Sequence, residues 1–139
     1  MGGVALRERR ADVERRLRRG FVLHTGDQKP PEPTLHEEDV LYGKYGLEVI
    51  YVSRNATLVS REHGRVVVLL THSPRFKTPE GVHVGSTAAE LRSIKGVKCE
   101  NLAGVDCQHG GQVHNQPGTM FRLSGPGGVV VRIAIAYSD

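Results

Sequence analysis

Aromatic residues are scarce in this sequence: they make up 5% of the chain, and tryptophan is absent. Three of the four tyrosines lie close together, at Tyr42, Tyr45 and Tyr51, but no RNP-like, helix-turn-helix or zinc-finger pattern accompanies them. The sequence therefore does not predict a base-stacking surface of the kind that binds single-stranded nucleic acid.

Long apolar runs are missing as well. The longest, Val66–Leu70 and Val129–Tyr137, are much shorter than the roughly 20 residues that a membrane-spanning helix needs. Met1 is followed by a polar, helix-compatible segment without the apolar core of a signal peptide. We expect no membrane span, and either a cytosolic protein or one whose leader is absent from this chain.

Motifs of the common enzyme classes are also missing. The sequence has no G-x-S-x-G, P-loop, H-E-x-x-H or G-x-G-x-x-G pattern. The acidic run Glu37–Asp39 stands beside a proline-rich stretch, which favours a solvated surface over a calcium site. The sequence therefore leans against an enzyme and predicts no cofactor.

Basic charge is concentrated at the amino terminus. Residues 1–20 hold seven arginines and three acidic residues, while the rest of the chain holds 12 residues of each sign. A helix in this region would bury Val13 and Leu17 on one face. The candidate partner-binding residues on the other face are Arg7, Arg15 and Arg18. These arginines are either solvated or bind an acidic partner.

Two segments that lie 78 residues apart share one pattern, an apolar stretch opened by glycine and followed by a helix. Gly3–Leu6 and Gly81–Val84 have the alternation of short strands. The helices are predicted near residues 7–19 and 87–95, and a glycine follows each of them.

A β-hairpin is predicted after each helix. The first pairs Leu47–Val52 with Arg65–His72, and the second pairs Thr119–Leu123 with Val129–Tyr137 across a glycine-rich turn. These two divergent strand, helix and hairpin repeats predict an α+β fold. We expect an antiparallel sheet with the two helices packed on one of its faces.

The repeats are predicted to form a single domain over residues 1–139. The first repeat spans residues 2–74 and the second spans 80–138, with a proline-containing linker over residues 73–80. Residues 24–39, which include Pro30, Pro31 and Pro33, are expected to form an exposed loop.

The start of the second repeat resembles a known group of proteins. The run Gly81–Leu91 is similar to the opening of small extracytoplasmic bacterial modules, the BamE-like lipoprotein domains and the β-lactamase-inhibitor-protein-like tandem repeats. In it Thr87 can cap the helix while Glu90 reaches back, as in a capping box. The first repeat has Arg7, Glu8 and Arg9 at the equivalent positions, without the glycine or the hydroxyl. The resemblance implies helix-on-sheet units in tandem and a location outside the cytoplasm.

The two cysteines are close enough in sequence to pair. Seven residues that include Asn101 and Gly104 separate Cys99 from Cys107, and such a span can turn back on itself. A disulfide is favoured, and it would indicate an oxidising compartment. Reduced structural thiols stay open, as does a tetrahedral metal site. The ligands of that site would be Cys99, Cys107, His109 and His114.

These features predict a non-enzymatic extracytoplasmic binding or structural module whose partner the sequence does not specify. One alternative is binding of a nucleic acid or another acidic partner through the arginine-rich amino-terminal helix, with nucleic acid less favoured than protein. A second alternative is a metal-binding protein that uses the cysteine and histidine set.

Overall fold

The structure is a computed structural model of the chain. It describes residues 1–28, 35–54, 63–101, 104–111 and 116–137. The chain divides into two compact units, which we call unit 1 (Met1–Leu69) and unit 2 (Leu70–Asp139).

Unit 1 consists of one short helix followed by neighbouring antiparallel strands. Strand β1 pairs with β2 and β2 pairs with β3, while β4 follows β3 in the strand order and ends just beyond the unit boundary. Its elements are α1 (Arg10–Leu17), β1 (Phe21–Gln28), β2 (Leu35–Tyr42), β3 (Leu47–Arg54) and β4 (Arg65–Thr71).

Alternation along β2 separates a buried face from an exposed one. Every second residue is buried, and the buried set continues on β3 and on the helix, where Val13 and Leu17 are buried. Two of the buried residues on β2 are polar, His36 and Glu38. The buried face of unit 1 therefore combines an apolar core with polar groups that need partners.

Unit 2 has the same order of elements, with a shorter helix. Strand β6 pairs with both β5 and β7, and β7 pairs with β8 in a hairpin. Its core includes Leu91 of the helix and Phe121 of β7. The elements are α2 (Ala88–Arg92), β5 (Val97–Asn101), β6 (Val105–Gly110), β7 (Pro117–Leu123) and β8 (Val130–Tyr137).

The predicted α+β class is wrong. In the described residues the secondary structure is mainly β, with eight strands and two helices of eight and five residues. The expected sheet covered by a layer of two helices is therefore replaced by a mostly β structure. Four of the strands, β1, β2, β5 and β6, were not expected. Residues 24–39 belong largely to β1 and β2 instead of an exposed loop, and residues 29–34, with their three prolines, lie outside the described residues.

The expected opening strands are also wrong, and the helices are shorter than predicted. Gly3 and Gly81 have φ of 74° and 86°, which places turns where the sequence predicts strands. Arg7 and Arg18 have positive φ as well, 66° and 68°, so the first helix cannot extend over residues 7–19.

Each unit fixes the start of its helix with the same backbone hydrogen bonds. In unit 1 the amide of Arg7 donates to Val66 O (2.7 Å), and in unit 2 that of Gly85 donates to Val130 O (2.8 Å). Val66 N donates back to Glu8 O, as Val130 N does to Ser86 O. This correspondence supports the tandem repeat, which stays a prediction.

Candidate binding surface

The arginines of the amino-terminal segment fall into two groups, according to whether a carboxylate of unit 1 neutralises them. Arg9 and Arg15 both pair with Asp12, at 3.0 and 3.1 Å. Arg16 pairs with Glu8 and also donates to Gly3 O. Much of the positive charge that the sequence places here is therefore balanced within the segment.

Arg10 is held in a buried polar cluster that sequence analysis missed. Its Nη1 donates to Glu38 Oε2, its Nε lies 2.9 Å from Glu14 Oε1, and its guanidinium lies 5.1 Å from the centre of the Tyr51 ring. Glu38 Oε1 is 3.0 Å from His36 Nε2. The cluster thus connects α1 to strands β2 and β3, and Glu38 is buried rather than solvated.

Hydrogen bonding keeps Glu38 charged inside the protein. Burial alone would raise the pKa of this carboxyl, but the hydrogen bonds to His36 and Arg10 outweigh burial and hold the pKa below its usual value. Burial likewise raises the pKa of Tyr51, whose hydroxyl lies 2.7 Å from that of Tyr42. These groups satisfy one another, so their arrangement suits anchoring of α1 more than acid–base chemistry on a substrate.

The three predicted partner-binding residues do not form one cluster. Arg7 is exposed and precedes α1, whereas Arg15 lies in the last turn of this helix and Arg18 follows that turn. Arg18 and Arg19 are exposed and make no ion pair with any of the described residues. The structure therefore places unneutralised charge at the carboxyl end of α1.

Strand β1 begins one residue after these two arginines, and its first three residues are apolar and exposed. Phe21, Val22 and Leu23 are 71%, 41% and 47% exposed. β1 pairs with β2 alone and stands at the end of the strand order among the described strands. Part of its backbone N–H and C=O groups therefore has no strand partner, and natural proteins usually protect such an edge with charge or proline.

The segment that joins α1 to β1 brings charge and apolar surface together. Gly20 allows it to pass close to β2, since a Cβ at this position would lie 2.5 Å from Val40 Cγ1. Arg18 ends the helix at φ 68° and ψ −174°, a backbone region that glycine normally occupies. We call residues Arg18–Leu23 the basic–apolar edge. Its signal in the sequence is the contiguous run R-R-G-F-V-L.

On the half-buried face of the β2–β3 pair, Asp39 of β2 lies close to Glu48 of β3. Asp39 shares a hydrogen bond with Glu48, and burial together with that neighbour raises the pKa of Asp39 to about 7, with His24 opposing the shift. Asp39 Oδ1 is buried without a hydrogen-bond partner in the described part of the chain. Two carboxyls so close together can share one proton near neutral pH.

The expected disulfide is confirmed. Cys99 and Cys107 lie opposite each other on β5 and β6, with their sulfurs 2.06 Å apart. This bond takes away two of the four ligands of the alternative metal site. His109 Nδ1 lies 3.5 Å from Glu80 Oε1, and His114 lies outside the described residues. Nowhere in the described ranges do three histidine, cysteine or acidic side chains converge to hold a metal.

A groove of about 410 Å³ lies on unit 2 beside the disulfide. Lys98, Glu100 and Asp106 give it charges of both signs. Neither described helix is long and apolar enough to cross a membrane.

Comparison with protein-family models, curated proteins and solved structures found no match for this chain. The candidate surface therefore has to be interpreted from its own geometry.

Proposed function

We propose that this protein is a non-enzymatic, extracytoplasmic binding module that takes up an extended segment of a partner protein along strand β1. The observation that carries the proposal is the exposure of Phe21, Val22 and Leu23 on an edge strand.

Strand addition uses the two features that β1 offers. The unpaired backbone groups of an edge strand can hydrogen-bond to an added strand, and neighbouring apolar side chains give that strand something to pack against. Phe21 and Val22 are consecutive and pair regularly with β2, so they present apolar surface on both faces of the strand; the register shifts after Val22, at the exposed Leu23. A partner strand would remove this surface from water.

The polar groups of unit 1 favour a binding role over catalysis. The cluster around Arg10 and Glu38 is largely buried, and the hydrogen bonds described for it join its own members. A catalytic acid or base has to reach a substrate atom directly or through one water molecule. An anchoring role for this cluster requires no such access.

The disulfide supports a location outside the cytoplasm, since disulfides persist mainly in oxidising compartments. This support is independent of the edge strand. The resemblance of Gly81–Leu91 to small extracytoplasmic modules points in the same direction.

The nucleic-acid alternative has weaker support. Four arginines of the amino-terminal segment, Arg9, Arg10, Arg15 and Arg16, pair with carboxylates of unit 1. A continuous stripe of unneutralised charge, which phosphate binding uses, is therefore interrupted.

Selection of short linear peptides from a displayed random library tests the proposal, with affinities measured afterwards on synthetic peptides. The double variant Val22→Lys/Leu23→Lys places two charges on the edge. We expect it to weaken binding of the selected peptides about tenfold or more, because charged side chains replace the apolar surface that the peptide buries.

The chain offers a matched control in unit 2. Val129 and Met120 are 40% and 46% exposed, close to the values of Val22 and Leu23, but they do not lie on β1. The variant Val129→Lys/Met120→Lys should leave peptide affinity unchanged. Equal losses in the two variants, or selected peptides that bind without slowing amide exchange in β1, would contradict the proposal.

A further inference from the structure

We infer that the partner segment adds antiparallel to β1 and carries aspartate or glutamate side chains at its carboxyl end, where Arg18 and Arg19 bind them. This inference rests on the proposed function, and it names the chemistry by which the edge selects its partner.

The position of the two arginines sets the position of the acidic residues. β1 runs from Phe21 to Gln28, so Arg18 and Arg19 lie next to its first residues. A strand that adds antiparallel runs in the opposite direction, and its carboxyl end comes to lie beside Phe21. Residues advance about 3.3 Å along a strand, so the first side chains beyond that end extend toward the segment that holds Arg18 and Arg19.

Charge is available there because nothing described in unit 1 neutralises it. Arg9, Arg15 and Arg16 each have a carboxylate partner, whereas Arg18 and Arg19, which are also exposed, have none among the described residues. Guanidinium groups pair with carboxylates through two parallel hydrogen bonds. A partner with carboxylates at this point would complete the pairing that the other arginines already make.

The backbone at Arg18 is a second, independent observation. Its φ of 68° with ψ of −174° lies in a region that is essentially restricted to glycine, and glycine is the usual residue just after a helix. An arginine at this position strains the backbone without any described ion pair to offset the strain. Residues held in this way cluster at ligand-binding sites.

A protein segment fits this surface better than a nucleic acid. Phosphate groups would use the two arginines but not the three exposed apolar side chains that follow them. An acidic strand uses both parts of the basic–apolar edge at once.

The first test is the position of acidic residues in those library-selected peptides whose binding depends on β1. We expect aspartate or glutamate to be enriched at the carboxyl side of the apolar residues. Synthetic peptides with blocked ends, so that only side-chain carboxylates count, should bind about threefold to tenfold more weakly when glutamine replaces each acid or when the acids are moved to the amino end.

Substitutions in the protein complete the test. Arg18→Gln/Arg19→Gln should weaken the acidic peptide by the same factor and leave the glutamine peptide unaffected. Arg18→Gly should weaken binding while leaving the thermal midpoint equal or higher, since glycine relieves the backbone strain. Arg15→Gln is the control: its side chain is 74% exposed but pairs with Asp12, so it should not change affinity.

The outcomes separate this inference from the function on which it rests. Peptides whose binding depends on β1 but does not depend on their acidic residues would overturn the inference and leave strand addition intact. The same holds if the acidic peptide binds Arg18→Gln/Arg19→Gln as tightly as the wild type. A library that yields no β1-dependent peptide overturns both. Binding of a single-stranded oligonucleotide that needs the arginines but tolerates Val22→Lys/Leu23→Lys would favour a nucleic-acid partner instead.

Discussion

The two units start their helices with the same backbone hydrogen bonds but stabilise them with different chemistry. In unit 2 Thr87 and Glu90 form a complete capping box, and a disulfide joins the first two strands after the helix. In unit 1 Arg9 occupies the position that corresponds to Thr87. Its side chain pairs with Asp12 and makes no capping hydrogen bond to the helix. Arg10, at the position of the buried Ala88, reaches a buried carboxylate instead.

The two units therefore share one scheme of backbone hydrogen bonds and support it with different side chains. Unit 1 relies on titratable groups, whose contribution depends on pH and on every partner being present. Unit 2 relies on a local cap and a covalent bond, which are less sensitive to pH. Substitutions that remove each support in turn test this contrast.

The largest effect is expected from Arg10→Met. It leaves Glu38 buried without the guanidinium that neutralises it, which should lower the free energy of unfolding by about 3 to 5 kcal/mol. Denaturant unfolding measures the loss, and faster amide exchange in α1 and β2 locates it. Arg9→Met, which breaks an exposed pair next to it, should change stability by less than about 1 kcal/mol. Equal effects of the two variants would mean that the cluster does not anchor α1.

Reduction of the disulfide should give the next largest effect. The bond closes a short loop, so its loss should lower the free energy of unfolding by about 2 to 3 kcal/mol through chain entropy. Amide exchange should become faster in β5 and β6 and stay unchanged in β1 to β3. Faster exchange in β1 to β3 as well would contradict the idea that the two units depend on different supports. In the oxidised protein, Arg10→Met should in turn speed amide exchange in unit 1 and leave β5 and β6 unchanged.

Thr87→Ala removes the capping box and should cost about 1 kcal/mol, because the amide of Glu90 loses its acceptor. Arg9→Ala, at the equivalent position in unit 1, should cost less, since Arg9 makes no cap hydrogen bond. Thermal unfolding of the two alanine variants compares them directly. A larger loss in Arg9→Ala would show that its pair with Asp12 replaces the cap in full.

The sequence predicted best those features that depend on local chemistry. The spacing of Thr87 and Glu90 predicts the capping box, and the glycine-rich turn before β8 predicts the hairpin of β7 and β8. The disulfide followed from the cysteine count and the short span, although its position across two paired strands did not.

Strands β1 and β2 were missed because the residues that mark them look unlike a strand core. β2 buries His36 and Glu38, which a polarity pattern assigns to the surface, and only the partner Arg10 from another element makes their burial favourable. β1 exposes Phe21 and Leu23, which the same pattern assigns to the interior. Contacts between distant segments decide both cases, and no local window contains them.

The last predicted effect depends on pH and concerns Asp39, which lies next to Glu38 but on the opposite face of β2. The pKa of Asp39 is raised to about 7 by burial and by Glu48, so the folded state binds this proton more tightly than the unfolded state does. The stability from this proton is therefore complete only below the usual aspartate pKa of about 4, and it is lost as the pH rises from there to about 7. Glu38 behaves in the opposite way: its pKa is lowered, so its contribution is present at neutral pH and is lost in acid.

Asp39→Asn mimics the protonated carboxyl at every pH and isolates this effect. The variant should match the wild type only below about pH 4, where the carboxyl is protonated in the folded and the unfolded state alike, and should exceed it by a growing margin up to about pH 8, because the wild type then places an ionised, partly buried Asp39 beside Glu48. Denaturant unfolding across this pH range gives the difference. Glu37→Gln, on the same face of β2, should run parallel to the wild type at all pH values. If Asp39→Asn also ran parallel to the wild type, Asp39 and Glu48 would not share a proton, and the pH sensitivity of unit 1 would come from the buried cluster alone.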